Sequence, residues 1–427
     1  MFKTLINAFR IKEVRAKILL TLLLLLVYRV GCFLPVPGIN VSVFTEAASE
    51  GFLNILSSIS GGSLSNGAFL ALGVTPYISA SIIIQLLSIA LPSLEKLARQ
   101  GEEGRKKMNM YTRIAALVLS IGQAGGIVLS IADSVKPIWS GASTAITSIF
   151  VALILVAGGM FTVWLGERIS DIGAGNGLSL LIFVGILSSA GASLLSSMQS
   201  VFADIENIYP ILGFLIAVIV IFALIVFVDM AERKVPVQYA KQMKGRKMYG
   251  GQSTYIPIRV NANGVIPIIF ASALLTFPQL LMSMFWPTSN AMVWYSQNLG
   301  MGSWLNLVLT SVLILFFAFF YSQISFNPEE ISKQIQSNGG FIPGIRPGRP
   351  TTEQLKKISN RITLFGAIFL AFIALVPSLV FKGVGGTSSL INAFTATGML
   401  IVVSVALEFD KQIQSLILMK QYKGFLK

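Results

Sequence analysis

Apolar positions in this chain gather into long runs without Asp, Glu, Lys or Arg, and charges crowd into the segments between them. A helix needs about 20 residues to cross the hydrocarbon core of a bilayer. A first span runs from Ile18 to Leu34, interrupted only by Arg29, and stops at Pro35-Val-Pro37. Charge-free runs follow at 51–94, 114–132, 137–166, 172–203, 207–228, 260–328, 362–381 and 383–407. The 69-residue run at 260–328 holds two spans around a polar bend near 286–302, so the pattern predicts ten spans.

The 44-residue run at 51–94 is the exception. Its second half, about Pro76 to Leu91, predicts a short helix. Its first half, 54–67, reads NILSSISGGSLSNG, too short and too rich in Gly, Ser and Asn to face lipid. Irregular backbone at membrane depth must be buried in protein or line a watery cavity. Composition alone favours an ordinary extracellular loop, and a re-entrant element is the alternative. The N-terminal basic residues and leucine run imitate a signal peptide. No small-residue cleavage site follows, so the segment reads as a retained first helix.

The composition fits this pattern. Of 427 residues, 54% are hydrophobic and only 12% charged, about half the charge of a soluble domain. The fold class expected is an all-α polytopic membrane protein. The net charge of +14 is distributed unevenly. With loops assigned alternately, 29 of the 32 Lys and Arg fall on one side, leaving Lys136 and Lys382 on the other and Arg29 in a span. One face then carries +16 and the opposite face −3. By the positive-inside rule, residues 1–17, the tail 408–427 and every basic loop are cytoplasmic. Two of these loops, 229–259 and 329–361, are longer than topology requires. They carry YAKQMKGRK (239–247) and GIRPGRP (344–350). Such tips suit anionic lipid, ribosomal RNA or an acidic motor protein.

The interior is chemically poor. There is no histidine, one cysteine (Cys32) and no GxxxxGK[ST] loop. His-based triads, cysteine metal clusters and P-loop nucleotide binding are excluded, and no cofactor is expected. No span carries a central carboxylate, the usual mark of coupled transport. Arg29 lies near the outer end of its span, where it can snorkel. Gly173-Ala-Gly175-Asn-Gly177 reads as a tight turn. Gln85 and Asn261 are intramembrane amides of the kind that bind helices together with about 1 kcal/mol each. Ten spans also divide into two five-helix halves of opposite orientation, 18–203 and 207–407. Three classes follow: a passive path or scaffold, a secondary transporter and a multi-span enzyme. The last is disfavoured by the missing His and carboxylates.

Long segments of the chain resemble the SecY family, channel subunits of the bacterial protein translocase. They include FLPVPGIN (33–40), GGSLSNGAFLALGVTPYISASIIIQLL (61–87), GEEGRKKMNMYTR (101–113) and WLGERISDIGAGNGLSLLIF (164–183). ERKVPVQYAKQMKGRKMYGGQSTYIPIRVNANGVIPIIFASALL (232–275), FNPEEISKQIQSNGGFIPGIRPG (326–348) and GGTSSLIN (385–392) extend the match. The resemblance implies a protein-conducting channel and no enzyme, with two inverted five-helix halves forming a clamshell around a central pore. It makes 54–67 the plug (Asn54, Ser60, Gly61, Gly62, Gly67), in place of the ordinary loop. It makes Val74, Ile78, Leu178, Ile182, Ile269 and Ile391 the aliphatic pore ring. Gln85 and Asn261 become a polar cluster at a lateral gate. Lys241, Arg246, Lys247 and Arg346 become docking residues for the SecA motor ATPase and the ribosome. SecE and SecG subunits, signal sequences, unfolded preproteins and anionic lipids are the other implied partners. The bacterial plasma membrane, with both termini cytoplasmic, is the implied location.

Overall fold

The structure, a computed structural model, describes residues 2–38, 41, 57, 60–98, 100–130, 143–203, 208–239, 242–244, 247–249, 253–261, 264–285, 289–300, 303–384 and 394–425. Each of the nine charge-poor runs carries a helix, and the run at 260–328 carries two long ones. These are α2 (Lys12–Gly31), α3 (Thr75–Ala90), α5 (Glu102–Ser130), α6 (Thr144–Ile172) and α7 (Gly177–Ala203) in the first part of the chain. In the second they are α8 (Ile208–Asp229), α9 (Ile266–Phe285), α11 (Trp304–Ser325), α13 (Arg349–Val384) and α14 (Ala396–Phe425). Shorter helices among the described residues include α1 (Phe2–Arg10), α4 (Pro92–Ala98), α10 (Asn290–Leu299) and α12 (Pro328–Ser337).

Among the described residues, six helical stretches are long and apolar enough to cross a membrane: Glu102–Leu129, Thr144–Ile172, Gly177–Gln199, Tyr209–Asp229, Trp304–Ser337 and Arg349–Pro377. The stretch in α3 is shorter, as the sequence predicts. Large apolar side chains remain exposed along these helices, including Leu22, Leu23 and Leu26 on α2, Ile216, Ile219 and Val220 on α8, and Leu364, Phe365 and Ile368 on α13. Such stripes would be insoluble in water and are at home in lipid.

The chain divides into two compact units. The first comprises Met1–Ile211, Ala273–Ser303 and Gly385–Lys427. In it α3 packs on α5, α5 on α6, α6 on α7, and α14 on α1, α2 and α7. Ala8, Val14, Ile18, Ala174, Ile413 and Ile417 form one of its apolar cores, which ties the last helix to the N-terminal pair. Gly173 and Gly175 form the turn expected between α6 and α7, and Ala174 N–H is capped by the Thr21 hydroxyl of α2 at 2.9 Å.

The second unit comprises Leu212–Ser272 and Trp304–Val384. Here α11 packs along α13. The two long basic loops also contain structure that helical periodicity does not announce. Strands β1 (Glu232–Tyr239) and β4 (Ser253–Arg259) pair antiparallel, from Glu232 opposite Arg259 to Gln238 opposite Ser253. Between them β2 (Gln242–Lys244) and β3 (Lys247–Tyr249) pair as a short hairpin. Strand β5 (Gly340–Phe341), from the other loop, joins the free edge of β1. The sheet order is β4-β1-β5. Val235, Val237 and Ile258 from the sheet, Ile335 and Ile342 from the 328–342 segment, and Leu355 of α13 close a small core. The alternation of Val235 and Val237 around Pro236 is the sequence trace of this strand.

Candidate functional site

In the first unit, the described part of the Ser/Gly-rich segment is buried. Ser57, Ser60, Gly61, Ser63, Leu64 and Gly67 are all shielded, as are Leu70, Ala71 and Leu72 beyond them. Gly62 is half-buried, and Asn54 lies outside the described residues. This corrects the ordinary-loop expectation. The reason is that the segment's polar groups find partners inside the protein. Ser60 Oγ donates to Ser57 O at 3.1 Å, Ser63 Oγ to Leu70 O at 3.2 Å, and Ser57 and Ser65 hydroxyls meet at 2.6 Å. Val36 N–H donates to Gly67 O at 2.8 Å and Phe69 N–H to Leu34 O at 3.1 Å, so the chain leaving α2 runs back along the segment. Satisfied backbone groups are what permit burial without regular structure.

Arg29 reaches into this segment and does not snorkel outward. Its Nη1 donates to Gly61 O at 3.4 Å and its Nη2 to the Ser188 hydroxyl on α7, while the guanidinium also faces the Phe33 ring at 5.6 Å. Gly61 has φ +69°, and a Cβ there would lie 2.8 Å from the Gly185 backbone. Only glycine fits such a position. On the other side α6 runs so close that a Cβ on Gly158 would meet Phe69 O at 1.8 Å. Leu64, Ala71 and Leu72 pack with Ala124, Ile127, Val128, Val151 and Leu155 of α5 and α6. The segment is thereby clamped by α2, α5, α6 and α7.

The expected ring positions fall on separate elements. Val74, at the N-cap of α3, is buried, and Ile78 follows one turn later. Leu178 and Ile182 lie one turn apart on α7, with Leu178 against Gly166 of α6. These four belong to the first unit, whereas Ile269 on α9 belongs to the second. Ile391 lies outside the described residues. The expected gate amides each have a partner within their own unit. Gln85 Nε2 donates to Ser81 Oγ at 3.2 Å on the exposed side of α3. Asn261 lies in the turn before α9, where its Nδ2 donates to Asp229 Oδ1 at 2.6 Å. That bond joins the end of α8 to the start of α9 below the β1–β4 ribbon.

Of the expected docking residues, Lys241 and Arg246 lie outside the described residues, and Lys247 opens β3. Arg346 is exposed in a tip between β5 and α13. The tip turns at Gly344 (φ +82°) and Gly348 (φ +102°). Pairing of β5 with β1 places both basic loops on one small module. Sequence periodicity missed this because β5 is two residues long and its partner is about 100 residues away. It also missed Ser188, Asp229, Ser332 and Thr351, whose roles depend on partners distant in sequence. Among the described residues, no cluster of His, Cys, Asp or Glu could hold a metal ion.

Comparison with known proteins gives consistent matches. The SecY family model matches residues 68–409. The protein translocase subunit SecY of Streptomyces galbus is 41% identical over 437 aligned positions, which cover 99% of each chain. A solved structure concerned with how the SecY plug domain stabilises the closed translocation channel and maintains a membrane seal aligns with TM-score 0.65 and 20% identity. The alignment covers 93% of this chain and 91% of that one. Sec61 in a canine ribosome-channel complex from the endoplasmic reticulum aligns with TM-score 0.63 and 18% identity, covering 93% and 91%.

Proposed function

Since this chain belongs to the SecY family and is a protein-conducting translocation channel of the membrane, we propose how its residues divide that work. Membership removes the enzyme and solute-transporter alternatives. The observation that carries the rest is the described part of the 54–67 segment, residues 57 and 60–67, an irregular, internally hydrogen-bonded piece of chain lodged among α2, α5, α6 and α7. It acts as the plug of the resting channel. Val74, Ile78, Leu178, Ile182, Ile269 and Ile391 form the constriction. Aliphatic side chains offer water and ions no hydrogen bonds, so a narrow ring of them gates by dewetting. The same ring seals around any side chain of a passing unfolded polypeptide.

The two five-helix halves, 18–203 and 207–407, part at a lateral gate that includes Gln85 and Asn261. Amide contacts of about 1 kcal/mol are weak enough for a signal sequence to displace. Hydrophobic segments then leave into lipid, gaining about 25 cal/mol per Å² of apolar surface buried.

The basic loops face the cytoplasm of a bacterium, and the lipid there is anionic. Arg346 and the Lys241–Lys247 tip dock the SecA motor or the ribosome, which supply the energy this chain has no groups to generate. SecE and SecG complete the complex. Arg346 lies in a constrained tip, and its planar guanidinium is suited to bidentate contact with carboxylate or phosphate.

Planar-bilayer recording tests the plug. Removal of residues 54–67 raises resting ion conductance in this reading, and unchanged conductance overturns it. Replacement Arg346→Glu tests docking: motor-driven export is lost while the channel still assembles in the membrane. Normal stimulation of the motor's ATPase by that variant defeats the assignment.

A further inference from the structure

We infer that Thr351, seconded by Ser332, is a positioning residue that holds the Arg346 backbone in its docking shape. The inference rests on the reading of Arg346 as a docking residue. The side chain of Arg346 is exposed, but the backbone beneath it is tied down. Thr351 Oγ1 donates to Arg346 O at 2.9 Å, and Ser332 Oγ donates to Gly348 O at 3.0 Å. Gly348 O also accepts from Thr351 N–H at 3.1 Å, and Ile345 N–H donates to Ile342 O at 3.0 Å. Both hydroxyl-bearing residues are 2% exposed.

The choice of acceptor is the telling point. A helical Ser or Thr ordinarily returns its proton to a carbonyl one turn earlier in its own helix. Ser332 sits on α12 yet donates 16 residues along the chain to the facing tip. Thr351 sits in the first turn of α13 and reaches back beyond the helix to Arg346. Neither hydroxyl serves its own helix. Each removes freedom from a loop whose two glycines would otherwise leave it pliable. A loop held in its bound shape before the partner arrives loses less entropy on docking. Ile342 and Ile345 anchor the same tip in the small apolar core from below. Arg346 is thus presented by a rigid element, and the device that fixes it is buried where a partner cannot touch it.

The experiment uses the channel complex with its small subunits in vesicles and purified SecA as the probe. SecA ATPase is measured against SecA concentration for Thr351→Val, Thr351→Ser, Arg346→Ala and the double variant Thr351→Val/Arg346→Ala. Valine keeps the shape and removes the donor. Thr351→Val raises the half-maximal SecA concentration roughly three- to tenfold, the worth of one hydrogen bond, and leaves the plateau unchanged. Thr351→Ser restores the wild-type value. In the Arg346→Ala background Thr351→Val adds nothing, because it acts through Arg346. Additive effects, or no shift for Thr351→Val where Arg346→Ala does shift, overturn the inference and leave the docking reading standing. No effect of Arg346→Ala overturns the docking reading, and the inference with it.

Discussion

Arg29 and Gly61 are 32 residues apart and meet at a hydrogen bond of 3.4 Å from Nη1 to the glycine carbonyl oxygen. Arg29 Nη2 donates to the Ser188 hydroxyl. A cation inside a span is costly unless it is partnered within the protein. Arg29 therefore binds α2, α7 and the irregular segment to one another. Loss of this contact is expected to loosen the plug. Arg29→Gln, which keeps polarity but loses the charge and the fork, should raise resting conductance in planar bilayers. A charge-assisted hydrogen bond of about 1.5–3 kcal/mol corresponds to a ten- to hundredfold rise in the open-to-closed ratio. Unchanged leak would show that the contact is incidental.

Gly158 and Gly159 are neighbours on α6 that should behave in opposite ways. A methyl on Gly158 would meet the Phe69 carbonyl oxygen at 1.8 Å, whereas one on Gly159 would meet Leu72 Cβ at 3.6 Å. Gly158→Ala forces the segment away from the helix and should lower the melting temperature or raise leak. Gly159→Ala makes an ordinary contact and, in a helix interior, should be neutral or stabilising by up to about 1 kcal/mol. Thermal unfolding in detergent, run on both variants, checks the pair.

Asn261 and Asp229 join the two membrane helices at the foot of the β1–β4 ribbon, with a bond of 2.6 Å. Asn261→Leu removes a donor from a carboxylate and should cost about 1–3 kcal/mol locally. The ribbon is expected to open more often, which faster tryptic cleavage after Arg233 or Lys234 would report. Cleavage at the wild-type rate would mean that the bond adds no rigidity.

Docking through Lys241, Arg246 and Lys247 should be strongly salt-dependent if ribosomal RNA is the partner. Phosphate contacts release counterions, with a slope of about −0.7 to −0.9 in log affinity per contact. Neutralising all three should lower the slope by about two to three in ribosome-binding titrations. A slope that stays the same would place the RNA contact elsewhere.

The runs of apolar residues each carry a helix, and among the described residues six helical stretches are long and apolar enough to cross a membrane, because a helix in lipid must satisfy its own backbone and needs only length and hydropathy to be recognised. The one-sided distribution of Lys and Arg predicts a topology in a similar way, since it acts loop by loop. The small sheet was not legible. Val235 and Val237 alternate, but β5 is a strand only because β1 offers it an edge. On its helix alone Arg29 reads as a snorkelling residue, because the headgroup interface is the nearest place for its charge.

The sequence by itself therefore determined the membrane class, the apolar segments that become helices, the clustering of charge in the loops between them and the absence of histidine. Family resemblance added the plug and docking positions. Tertiary structure decided that the Ser/Gly segment is buried, that Arg29 turns inward to Gly61 and Ser188, and that two separate loops share one sheet. Hydropathy and charge are properties of single residues and can be read one by one. A hydrogen bond or an interlocked core needs its partner, and only folding brings residues 32 or 100 positions apart within reach.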